Sequence, residues 1–153
     1  MNRIPAILAA AILVAAAAPN RLLAQEVGEK AAATSREEAA REAAEAWLSL
    51  IAAEKYEESW NEASSHFQAA MTAADWARTA ASVAGQTGAL LSRRLSEARY
   101  TTALPGAPAG EYIVLLYSSS FGHAPDVQEL VTVILEDGRW RVIGYFVRPA
   151  QGD

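Results

Sequence analysis

The chain has 153 residues, no cysteine, and 13 Lys and Arg against 18 Asp and Glu, a net charge of −5. Disulfides and a cysteine-linked lipid anchor are therefore excluded. The acidic balance repels phosphate backbones and anionic lipid, so no nucleic-acid partner is expected.

Residues 1–24 hold no acid: Arg3 opens the stretch, an Ala/Ile/Leu/Val run covers Ile4 to Ala18, and small residues close it at Leu23-Ala24. This reads as a cleavable signal peptide. The run is short and alanine-rich for a bilayer span of about 20 apolar residues, so an uncleaved anchor is the lesser alternative and no span is expected after cleavage. A cut after Ala24 makes Gln25 the mature start, whereas a cut after Ala18 would leave Pro19 immediately downstream. The expected location is periplasmic or secreted. Without the 24 leader residues and their two arginines, 129 residues remain with 11 bases against 18 acids, net −7. That length suits one domain, expected over 34–148 with a tail at 149–153.

Residues 25–33 are small and polar, with Gly28 and no large apolar anchor, and read as a flexible lead-in. Ser35 followed by Glu38 fits a capping box, so a helix is predicted from about Thr34 to Glu54. Its apolar residues Ala40, Ala43, Ala44, Trp47, Leu48 and Ile51 recur at helical spacing, with Glu37, Arg41, Glu42 and Glu45 opposite. A second short helix is predicted over Tyr56 to Ser65 and a third over Thr72 to Ala84, with Trp76, Ala80 and Val83 in register. Gly85 and Gly88 end the helical half.

Beyond them the period falls to two. Strands are predicted over Leu90–Thr102, Glu111–Phe121, Val127–Glu136 and Arg139–Val147, with a Pro/Gly loop at 104–110. The order, helices first and then an antiparallel sheet, defines an α+β fold.

Asp137-Gly138 is a strong two-residue hairpin signal. Its register pairs Leu135 with Trp140, Val133 with Val142, Val131 with Gly144 and Glu129 with Phe146. One face then carries Val131, Val133, Leu135, Trp140, Val142 and Phe146 toward the helices. The other carries Leu130, Thr132, Ile134, Arg141, Ile143 and Tyr145, apolar enough to suit a partner or a second copy. The same register puts Glu129 on the core face, where a carboxylate needs a cation, water or a ligand.

The combination of Trp47-Leu48, Tyr56 through Ser59-Trp60, Phe67, Trp76, the Leu104-Pro105-Gly106 and Gly110-Glu111-Tyr112 loop, Glu129, and Trp140-Arg141-Val142 through Gly144-Tyr145 resembles domain of unknown function family 4019, a family of small exported bacterial proteins. The resemblance spans about Arg41 to Arg148. It implies the nuclear transport factor 2-like (cystatin-like) superfamily, in which helices pack into a curved sheet to form a cone that often encloses a pocket. One departure is Ala84-Gly85, where a basic residue is expected; this puts in doubt any anion site depending on it.

No catalytic or metal motif accompanies the fold. His66 and His123 lie in different elements without ligand spacing, and Ser118-Ser119-Ser120 lacks a nucleophile elbow. Arg93-Arg94 put one guanidinium on each side of a strand, and the inward one, taken as Arg94, is placed to pair with Glu129. The candidate pocket is Glu129, Arg94, Tyr112, Tyr117, Trp60 and Trp76. The expected function is a non-catalytic exported module, without cofactor, that binds a small apolar ligand or an envelope protein. Two alternatives stand beside it: an isomerase or dehydratase with Glu129 as base and Tyr112 or Tyr117 as oxyanion donor, as the resemblance implies, and a homodimer through Leu130, Ile143 and Tyr145.

Overall fold

The structure is a computed structural model that describes residues 18–150; the apolar run of the expected leader lies outside them except for Ala18. The chain divides into two units between Ala33 and Thr34. In the first, residues 21–32 are helical and exposed, including Leu22, Leu23 and Val27.

Helix α1 runs Ala18–Ala52, so it passes through Ser35 and Glu38 instead of starting there. The expected lead-in at 25–33 is helical because Glu26, Glu29, Lys30 and Ala31 to Ala33 are good helix formers and only Gly28 opposes them. Within a continuous helix the Glu38 amide already has a backbone acceptor, which leaves Ser35 nothing to cap. The second unit holds the rest: α2 Tyr56–Glu62, α3 Ser65–Ala70, α4 Ala73–Thr87, then β1 Leu90–Thr101, β2 Tyr112–Phe121, β3 Ala124–Glu136 and β4 Arg139–Pro149.

The predicted second helix ends early, at Glu62, and α3 follows in a stretch where, past Ser65, no helix is predicted. Ser64 separates the two: its side chain accepts from the Phe67 amide at 3.1 Å, opening α3, while its own amide donates to Val142 O on β4 at 2.9 Å. Glu136 fastens the same junction, accepting from the Ser65 amide and hydroxyl with Arg141 Nε 3.8 Å away. Thr72 caps α4 by accepting from the Asp75 amide at 3.1 Å. Gly85 lies inside α4; the helix ends at Gly88, whose φ of 77° and closeness to His123 exclude a side chain.

The four strands form one antiparallel sheet in the order β1-β2-β3-β4. Asp137 and Gly138 both have positive φ, as the two-residue turn requires, and Glu136 pairs with Arg139, Leu135 with Trp140 and Val133 with Val142. Beyond Val142 the predicted register fails. Thr132 pairs with Gly144 and Val131 with Tyr145, leaving Ile143 as an extra residue in a β-bulge. Every later side chain on β4 changes face: Tyr145 turns toward the helices and Phe146 turns out, 65% exposed. Gly144 in mid-strand was the available signal for this bulge.

The core joins Ala40, Ala44, Trp47 and Leu48 of α1 to Ile113, Leu115 and Tyr117 of β2 and Val131, Val133 and Val142 of the last hairpin. At its centre the rings of Trp47, Phe67, Trp76 and Tyr145 meet at centroid distances of 5.1 to 6.5 Å, mostly edge to face. Fully buried Ser59 wires them together: Trp47 Nε1 donates to its carbonyl at 2.7 Å and Trp76 Nε1 to its hydroxyl at 2.9 Å. No sequence pattern marks Ser59 for this role.

Candidate functional site

Two features stand out in the second unit: a buried charged cluster at one end of the sheet, and a groove beside β4.

Glu129 on β3 is fully buried. Alternation from the correctly predicted turn already placed it inward. The bulge on β4 does not move it, because the extra residue lies on the other strand. Arg93 on β1 grips it in a two-point pair, Nε to Oε2 at 2.6 Å and Nη2 to Oε1 at 2.9 Å. Tyr145 donates its hydroxyl to Oε1 at 2.6 Å, and Ser119 on β2 donates its hydroxyl to Oε2. Burial alone would raise the carboxyl; the Arg93, Ser119 and Tyr145 hydrogen bonds and the Arg93 charge outweigh it and hold Glu129 below the ordinary carboxylate value. Tyr145 is pushed upward by burial and by the Glu129 charge, so it stays a proton donor in a hydrogen bond.

The inward guanidinium is therefore that of Arg93 and not the expected Arg94. Pairing Arg93 with Ser119 and Leu95 with Tyr117 sends Arg94, opposite Ser118, to the exposed side.

The remaining expected lining residues disperse. Tyr117 is buried directly across β2–β3 from Glu129, but its hydroxyl has no hydrogen-bond partner among the described residues, and burial pushes it up to about 12. Tyr112 shares a strand with Tyr117 five residues away and so lies on the opposite face of the sheet. There the proline loop covers it, its hydroxyl donating to Pro108 O. Trp76 belongs to the aromatic core. Trp60 is half-buried and donates from Nε1 to Met71 O at 2.9 Å, tying α2 to the end of α3. The six do not form one pocket.

The groove lies elsewhere. Ala43, Ala46, Trp47 and Leu50 of α1, Glu62 at the end of α2, and Arg139, Trp140, Arg141 and Val142 of β4 surround about 320 Å³. That volume is at the small end of ligand sites. A hollow of about 510 Å³ at Asp75, Arg78, Thr79, Ser82 and Val83 is walled by α4 alone and offers contact on one side only. Neither is lined by Glu129. Among the described residues no group of three or more His, Cys, Asp or Glu is placed to hold a metal ion, and no helix is long and apolar enough to cross a membrane.

A family model described as "Protein of unknown function (DUF4019)" matches residues 43–145. The chain belongs to this family. The DUF4019 segment takes in the whole groove and all four members of the Glu129 cluster, and leaves out residues 18–42 of α1. No curated protein matches the chain.

Proposed function

We propose that this DUF4019 protein is an exported, non-catalytic module that binds a small apolar or amphipathic ligand in the groove between α1, α2 and β4. The observation that carries the reading is the position of the open apolar volume: it lies against Trp47, Leu50 and Trp140, away from the only carboxylate that is fully buried among the described residues. Glu129 has both oxygens engaged by Arg93, Ser119 and Tyr145, and its depressed proton affinity is the reverse of what a general base working near neutral pH needs. This weighs against an isomerase or dehydratase. Export is supported by the acid-free leader, and Gln25 as the amino-terminal residue of the natural protein from an envelope fraction would bear it out.

Filling the groove tests the reading. Ala46 is exposed on the groove wall, so Ala46→Trp adds bulk there without disturbing the core. The wild type should bind decyl alcohol saturably, followed by tryptophan emission, and Ala46→Trp should weaken that binding at least tenfold with its urea midpoint unchanged. Equal binding by both proteins, or none by the wild type, would count against the groove.

A second reading, a homodimer, is favoured by the outward turn of Phe146. Pairing aligns Leu116, Leu130 and Phe146 across three strands on the outer face, so the seam contains Phe146 where Tyr145 was expected. Light scattering at micromolar concentration should then give twice the chain mass, and Phe146→Asp should halve it. A wild-type mass of one chain would dispose of this seam.

A further inference from the structure

We infer that the groove selects a free organic carboxylate with an apolar body, medium-chain fatty acids being the simplest members of the class. The inference rests on the proposed groove and adds its chemical selectivity.

The lining divides into two kinds of surface. Ala43, Ala46, Leu50, Trp47, Trp140 and Val142 supply an apolar wall that favours an uncharged ligand body. The polar part consists of Arg139, Arg141 and Glu62. These three are not equally committed. Arg141 is held in place, its Nη1 donating to Glu62 O at 3.2 Å and its Nε lying 3.8 Å from Glu136, whose oxygens also meet Ser65 and, at 3.7 Å, His66. Arg139 makes one 3.9 Å approach to Glu62, and both side chains are more than half exposed, at 67% and 60%. A contact of that length and exposure contributes little and exchanges readily.

Arg139 is therefore a planar, permanently charged donor fork at the mouth of an apolar hollow, with capacity beyond its single loose partner. Its chemical complement is a carboxylate, which takes two parallel N–H donors at once. Arg141 adds positive charge beside it, and its fixed position keeps that charge at the groove. Glu62 is the one acidic side chain of the lining, and a ligand carboxylate would displace it from Arg139 into water. The rest of the chain is acidic, so this pair of arginines against apolar surface is a local reversal of the overall charge.

Decanoate and decyl alcohol share a chain length and differ in the head, so their comparison isolates the carboxylate. With decanoate kept below its micellar concentration at pH 7 and low salt, calorimetric titration should show it binding at least tenfold tighter than decyl alcohol. Arg139→Gln, at an exposed position, should remove most of that preference, decanoate losing affinity by a much larger factor than decyl alcohol. Equal affinities in the wild type, or a preference that survives Arg139→Gln, would overturn the inference while leaving the groove as a site for apolar ligands. Failure of both compounds to bind would overturn the groove itself.

Discussion

Replacing Glu129 by Ala is expected to lower unfolding stability by about 3–5 kcal/mol, because it strips a partly buried guanidinium of its partner. Arg93 is 14% exposed and cannot turn fully into water. The Ser119 and Tyr145 hydroxyls lose their acceptor at the same time. Urea unfolding of Glu129→Ala reads the loss. The double variant Arg93→Met with Glu129→Leu removes both charges together and should recover most of it, since apolar replacement of a whole buried pair is often near neutral.

Acid gives the same answer by another route. Glu129 binds its proton less readily in the folded chain than in the unfolded one. Its contribution is therefore complete above the ordinary carboxylate range and is lost as pH falls through that range toward the lowered folded value. Glu136 and Asp75, also lowered, act in the same direction. Stability measured from pH 7 down to about pH 3 should fall less steeply in Glu129→Ala than in the wild type. An identical slope would mean that the carboxylate is not held by its neighbours.

Trp47→Ala should cost a comparable amount, about 3–5 kcal/mol, for a different reason. Its indole is the hub of the aromatic cluster, with Phe67, Trp76 and Tyr145 rings around it, and its N–H satisfies the carbonyl of fully buried Ser59. Truncation leaves a large hole in a core to which α1, α3, α4 and the sheet all contribute, and strips the Ser59 carbonyl of its indole donor, leaving it the Ala63 amide alone. Trp47→Phe keeps much of the volume and loses the N–H, so about 1–3 kcal/mol should remain. Thermal or urea unfolding of the two variants separates packing from the hydrogen bond.

Much of the fold was legible in residues that report on their own neighbourhood. The helical spacing of Ala40, Ala44, Trp47 and Leu48 located the buried face of α1, and Asp137-Gly138 located the last hairpin and, through it, buried Glu129. What stayed hidden depends on contacts made from a distance. Ser64 ends one helix and starts the next partly because its amide meets Val142 on β4. Ile143 is extra because the sheet bulges there, and a period-2 count carried across it exchanged Tyr145 for Phe146. The same kind of irregularity in β1, between Leu95 and Glu97, lies between the proline loop and the two arginines and decides which of them faces Glu129. The groove was illegible for a related reason. Its lining comes from three elements whose approach no local pattern encodes, whereas Glu129 is out of place within its own strand and is visible in the sequence for that reason.

Titration of the isotope-labelled protein with decyl alcohol, followed by backbone amide and indole resonances, asks directly where a ligand sits. Movement centred on the groove residues Ala43, Ala46, Trp47, Leu50 and Trp140, with Arg93 and Ser119 unmoved, is the predicted result. Movement centred on Arg93, Ser119 and Tyr145, or saturating nowhere, would contradict it.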